Sequence, residues 1–227
     1  MTKEIWTYLL LTGVALGVLG VTIRAQSFHL VGNHQDYAPT QPLAFSHRLH
    51  AGEMSIDCQY CHSGAETSRH AGIPATSVCM NCHNFVTSTF GAMQAEDRTA
   101  TEEDRPVQPV ISDELQKLYA TLGLEGAEAI AAWNSLEVTP AKADSMEPMP
   151  WVKVHNLPDF VYFDHRPHVN VGLECQKCHG NVETMERIRQ VETLAMGWCV
   201  NCHRKYSEIG VNAKPVHAPI DCTTCHY

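Results

Sequence analysis

A mainly α-helical chain with extensive coil, led by one N-terminal transmembrane helix, is predicted by three observations on these 227 residues. Ten cysteines fall in five Cys-x-x-Cys-His motifs with none left over. An uncharged apolar run spans residues 5–23, near the N-terminus. Aromatic residues are only 7% of the chain, few for a conventional side-chain core.

The apolar run, Ile5 to Ile23, holds 19 residues. A helix of that length crosses a bilayer core of ~30 Å. A cleaved signal peptide has a shorter apolar core, so a retained anchor is expected. Trp6 and Tyr8 suit the interfacial belt. Gly13 and Gly17 form a small-xxx-small pair that lets another helix approach. Lys3 and Arg24 flank the run evenly, so charge does not orient it.

The motifs are Cys58-Gln-Tyr-Cys61-His62, Cys79-Met-Asn-Cys82-His83, Cys175-Gln-Lys-Cys178-His179, Cys199-Val-Asn-Cys202-His203 and Cys222-Thr-Thr-Cys225-His226. On a helical turn, positions i, i+3 and i+4 share one face. Two thiols and one imidazole can then meet a single group. This is the attachment signature of c-type haem: both cysteines bond to the porphyrin and the histidine takes one axial position on iron. Zinc ribbons also use Cys-x-x-Cys pairs, but a closed site takes four ligands, and five pairs do not divide into such sites. A disulfide framework fits an even cysteine count. Neither alternative explains a histidine after every pair. Five covalently bound haems c, each with its iron, are therefore expected, and buried macrocycles would fill much of the interior. Bacterial c-type haem is attached outside the cytoplasmic membrane. The expected placement is single-pass in the cytoplasmic (inner) membrane, with the haem domain on the periplasmic face.

The chain repeats itself. Phe45-Ser-His47-Arg48-Leu-His50 precedes the first motif, and Phe163-Asp-His165-Arg166-Pro-His168 precedes the third. Two related modules are expected. The predicted organisation is an anchor over 1–27, a dihaem module over 28–90, an acidic and helical linker strap over 91–150, and a trihaem module over 151–227. The strap contains no Cys or His. Within it, Ile111, Leu115, Leu118, Tyr119 and Leu122 recur at helical spacing, with Ser112 or Asp113 as the cap and Gly123 as the end. Ala127 to Trp133 reads as a second short helix, followed by an extended return over Met146–Pro150. The strap is read as packing on the haem modules or on a partner, with no catalytic role. No catalytic residue is assigned anywhere in the chain.

Six-coordinate irons need five further ligands. His47, His50, His165 and His168 are the leading candidates because they recur at matched positions in both halves. In Phe-x-His-x-x-His the two imidazoles can reach different haems. His155 follows as a candidate. Met196 lies three residues before Cys199, and His/Met ligation would raise the potential of that haem above bis-His neighbours. His70 and His217 are read as weaker candidates that contact propionates. His29 and His34 are read as interfacial.

The net charge of −9 opposes binding to nucleic acid. Haem propionates would make the surface more acidic, so a docking partner with a basic surface is the natural complement.

Ala71-Gly-Ile-Pro74 before the second motif, Val154-His-Asn-Leu-Pro-Asp-Phe-Val-Tyr-Phe163, and Met196-Gly-Trp-Cys-Val-Asn-Cys-His203 resemble the pentahaem cytochrome subunit of the alternative complex III family. That family is a membrane quinol-oxidising assembly. The paired Phe-x-His-x-x-His segments resemble the small class III cytochromes, where the two histidines ligate different haems. The 90–150 region is longer than the family pattern. The resemblance implies a class III-like multihaem domain that relays electrons from a quinol-oxidising respiratory complex to a monohaem cytochrome, another soluble carrier or a terminal oxidase. It also implies an iron–sulfur/molybdopterin-like subunit and polytopic membrane subunits as neighbours. The chain would then be an electron-transfer subunit rather than a catalyst by itself. Two alternatives have different signatures. A quinol dehydrogenase cytochrome of nitrate or nitrite systems needs a haem near the bilayer, whereas 34 residues separate Ile23 from Cys58. A multihaem reductase needs an open iron position, and the surplus of distal candidates gives no sign of one.

Overall fold

The computed structural model describes residues 2–25, 34–135 and 146–226. His29 lies outside them. The described chain is mainly helical with long coil and contains no β-strand; Val161 and His226, and Val211 and Lys214, form isolated bridges.

α1 spans Thr2–Ala25. At 1.5 Å per residue it is about 36 Å long, enough for the bilayer core. Its window Glu4–Val21 has a mean hydropathy of 1.6 and none of it is buried within the chain. By length and composition it qualifies as a membrane span.

Short helices carry the motifs. α2 is Cys58–Cys61, α3 Thr76–His83, α8 Gln176–His179, α9 Met196–Ile209 and α10 Cys222–Cys225. Between them lie α4 (Phe90–Glu102), α5 (Asp113–Thr121), α6 (Gly126–Ala131) and α7 (His165–Asn170). A π-helical turn covers Arg48–Glu53, and 3-10 turns cover Trp133–Ser135 and Val182–Thr184.

The strap forms its expected helices. Ser112 caps α5 by accepting from Leu115 N. α4 was not expected, because 90–102 is Thr-rich, acidic and lacks an apolar stripe. Thr89 starts it as N-cap, accepting from Ala92 N. Arg105 then folds back and pairs with Glu96 at 2.6 Å, which holds the Glu96 carboxyl down to about 2.

Packing divides the chain into two compact units. A core unit comprises Pro39–Lys153 and Phe163–Ile188; an anchor unit comprises Met1–Ala38, Val154–Tyr162 and Arg189–Tyr227. The core unit contains the first three motifs and the anchor unit the last two. This division follows packing, whereas the duplication follows sequence, and the two cut the chain differently.

The apolar cluster of the core unit joins Leu43, Met80, Leu118, Tyr119, Leu122, Leu124 and Ile130. Strap helices α5 and α6 therefore pack on α3, the helix of the second motif. The segment leading to the first repeat is fixed to the strap and to the residues that follow it. Gln41 Nε2 donates to Val152 O and its Oε1 accepts from Val152 N, both at 2.9 Å. Ala44 N donates to Glu114 Oε2 at 2.7 Å.

In the anchor unit, Gln190 is fully buried and ties three segments together. Its carbonyl accepts from Asp36 N, its N–H donates to Tyr37 O, its Nε2 donates to Glu192 O, and its Oε1 accepts from Asn156 N. Gln190→Leu leaves the Asn156 N–H and the Glu192 carbonyl without these partners. Each orphaned group costs about 1–3 kcal/mol, so thermal denaturation of the variant is expected to begin well below that of the parent.

Candidate functional site

Each Cys-x-x-Cys-His motif is one helical turn. The backbone N–H of His62 donates to Cys58 O at 2.8 Å, that of His179 to Cys175 O at 3.0 Å, and that of His226 to Cys222 O at 2.9 Å. Asp57 and Asp221 cap α2 and α10 through side-chain bonds to Gln59 N and Thr224 N. The second and fourth motifs lie within the longer helices α3 and α9. This is the i, i+3, i+4 geometry expected. None of the ten cysteines is paired with another, and burial raises the pKa of Cys61, Cys79, Cys175, Cys199 and Cys202. Cys58, Cys178 and Cys225 are half-buried, while Cys82 and Cys222 are exposed.

The histidines are oriented through Nδ1. His62 Nδ1 lies 2.5 Å from Gly72 O, His83 Nδ1 2.7 Å from Val86 O, and His203 Nδ1 2.5 Å from Pro219 O. His50, His165 and His168 do the same with Ser46 O, Arg69 O and Asp164 O, at 2.9, 2.9 and 2.7 Å. A backbone carbonyl accepting from Nδ1–H fixes the tautomer and leaves the Nε2 lone pair for a metal. His47 differs: its Nδ1 is buried without a partner. Burial, then His62 and His50 nearby, push its pKa down to about 4, so it is neutral near pH 7. Burial also lowers the pKa of His83.

Two imidazole pairs emerge in the core unit. The rings of His165 and His179 are 6.4 Å apart with planes within 3° of parallel. The rings of His50 and His83 are 6.2 Å apart and tilted by 55°. Two imidazoles on one metal, with metal–nitrogen bonds of ~2.0 Å, place their ring centres roughly 6.3 Å apart. Both pairs match that spacing. Among the described residues no three His, Cys, Asp or Glu groups converge to hold a bare ion. Paired imidazoles beside the motif thiols, with an orphaned buried nitrogen at His47, would suit a haem, which brings its own ring nitrogens to the iron. When bound, haem provides an iron that cycles between two oxidation states.

The sequence repeat is also a repeat of geometry. Phe45 lies 4.9 Å from His47 at 85°, and Phe163 lies 4.9 Å from His165 at 83°. Phe45 lies 4.4 Å from His50 at 25°, and Phe163 lies 4.8 Å from His168 at 31°. In each copy the phenylalanine wedges between both histidines and sets their directions.

The remaining candidates are more scattered. In the anchor unit, His226 is stacked 5.8 Å from Phe160, and Tyr162 N donates to Cys225 O at 2.8 Å. His155 is half-buried on the segment that Gln190 holds. Met196 opens α9 and is 65% exposed. His217 is exposed, and the loop that carries it returns Pro219 to His203. Gly210, at φ +73°, permits that return, since a Cβ there would overlap Lys214 O. His70 is exposed in the core unit. His34 packs edge-on against Tyr37 at 5.3 Å.

Tyr119 went unrecognised in the sequence as anything beyond an apolar helix position. It is 2% exposed, and its Oη donates to the His83 carbonyl at 2.6 Å. Burial pushes its pKa up to about 12. The strap thus holds the backbone of the second motif's histidine. Tyr119→Phe removes one buried hydrogen bond, worth about 1 kcal/mol. A melting temperature lower by about 2–4 °C is expected, with the number of bound haems unchanged by mass.

Two comparisons follow from this geometry. Residues 161–227 match the family profile of cytochrome c7 and related cytochrome c. The chain is also similar to the menaquinone reductase, multihaem cytochrome c subunit, of Nitratidesulfovibrio vulgaris: 23% identical over 206 residues, covering 82% of this chain and 76% of that protein. The chain is thus similar over residues 161–227 to cytochrome c7 and related cytochrome c, and over most of its length to that multihaem subunit.

Proposed function

We propose that this chain is a membrane-anchored pentahaem relay that exchanges electrons between a quinone-linked membrane complex and a carrier on the periplasmic side. The observation that carries the reading is the set of imidazole pairs at iron-bridging distance beside the motif cysteines. Cys58 and Cys61, Cys79 and Cys82, Cys175 and Cys178, Cys199 and Cys202, and Cys222 and Cys225 hold the five haems. His62, His83, His179, His203 and His226 are the proximal ligands. His47, His50 and His165 complete the first, second and third irons. Two irons remain, for which His155, His168 and Met196 are the candidate ligands.

α1 fixes the chain in the cytoplasmic membrane, and haem attachment places the rest outside it. Twelve acidic and four basic residues fall in 91–150, so the strap holds most of the net charge of −9. That favours a basic carrier as the soluble partner. The sequence resemblance to alternative complex III supports quinol oxidation, with an iron–sulfur/molybdopterin-like subunit and polytopic membrane subunits as neighbours. A second reading reverses the current: the similar protein is named for menaquinone reduction, and electrons would then run from the carrier to the membrane.

Intact mass of the purified full chain should show five covalent haem additions, and electron paramagnetic resonance should show low-spin iron throughout. A lower haem count, or a large high-spin fraction in undamaged protein, would sink the relay. Direction is read in the assembled complex. Reduction of its haems by a menaquinol analogue supports quinol oxidation; quinone reduction by the pre-reduced complex without the reverse reaction supports the second reading.

A further inference from the structure

We infer that the first motif lies between the second and the third, so that the three haem sites of the core unit run third–first–second rather than in chain order. This rests on the haem reading above. On one side, Asn81 Nδ2 donates to Tyr60 Oη at 2.9 Å. Tyr60 is held between the cysteines of the first motif and Asn81 between those of the second, so the bond joins the two attachment turns directly.

On the other side, the loop leaving the first motif meets the segment that carries the third. Arg69 Nε donates to Phe163 O at 3.0 Å, His165 N donates to Arg69 O at 3.1 Å, and Asn170 Nδ2 donates to Glu66 O at 3.3 Å.

These contacts are reciprocal. The exit of the first motif meets the histidine segment before the third, through Arg69 and His165. The exit of the third meets the histidine segment before the first: Arg48 N donates to Met185 O at 2.9 Å, and Arg48 Nε donates to Glu186 Oε1 at 2.6 Å. Each copy's exit lying on the other's entry is the mark of an isologous two-fold interface. The first and third motifs thus form an internal pseudo-dimer, and the second motif attaches to the first through Asn81. An electron exchanged between the second and third sites then passes the first.

Anomalous scattering at the iron edge from the full holoprotein would give the iron positions, assigned by their motif histidines. The first–second and first–third iron separations should each be shorter than the second–third separation, and a local two-fold should relate the first and third irons. A second–third separation shorter than either of the others would overturn the order while leaving the haem reading intact. Absence of iron at these three motifs would overturn the haem reading, and the inference with it.

Discussion

In the His165→Ala variant, one iron in the protein is expected to change from low-spin to high-spin and to bind carbon monoxide, while the protein keeps all its covalent haems. His165 faces His179 at 6.4 Å with parallel planes. Its Nδ1 is held by Arg69 O, so Nε2 is the free donor. Alanine removes that donor without touching a cysteine, and the attachment survives. His50→Ala should produce the same change at a different iron, because His50 faces His83. The two variants are distinguishable by orientation. Parallel imidazole planes act on the same iron orbital and give a rhombic low-spin signal. Planes tilted by 55° partly cancel that preference and give a more anisotropic one. The rhombic component should vanish in His165→Ala and the anisotropic one in His50→Ala. Loss of the same component in both variants, or no new high-spin signal in either, would refute the pairing.

The attachment motifs were legible in the sequence because their chemistry is local. Two thiols and an imidazole must meet one group from one turn, and Cys-x-x-Cys-His imposes that. The histidine repeat was legible for a related reason: Phe45 and Phe163 fix the directions of their histidines within six residues. α5 could be read from its apolar stripe and Ser112. α4 could not, since it rests on the Thr89 cap and on Arg105 folding back to Glu96. The contact of Tyr119 with His83 spans 36 residues and uses a carbonyl that no sequence pattern marks. The ring neighbours of His50 and His165 were out of reach too. Spacing lets the two imidazoles of a repeat point apart, but that His50 faces His83 and His165 faces His179 comes from packing between segments distant in the chain. Gln190 and Gly52 look unexceptional in the sequence, because the roles of both come from backbone groups far along the chain.

Gly52 makes the sharpest test of that last point, because two effects with opposite signs compete there. It lies inside the helical turn Arg48–Glu53. Propensity alone says that Gly→Ala in a helix interior stabilises by roughly 0.5–1 kcal/mol. A Cβ at Gly52, however, would overlap the Glu183 carbonyl oxygen. The obstacle is backbone in the turn Val182–Thr184, so no side chain can rotate away. Overpacking of this kind costs about 1–3 kcal/mol, and the steric effect wins. The Arg48–Glu53 turn must move off its neighbour, and His47 and His50 move with it. Its π-helical bond, Met54 N to Leu49 O at 3.0 Å, leaves it little means of tightening. Gly52→Ala should therefore lower the melting temperature by about 3–10 °C and weaken the low-spin signals of two haems, those of the first and second motifs. Gly91→Ala is the control. It lies in α4 with nothing within 4 Å of a new Cβ, so propensity acts alone, and its melting temperature should hold or rise slightly. If both variants melt together, close approach at Gly52 does not govern the seating of His47 and His50.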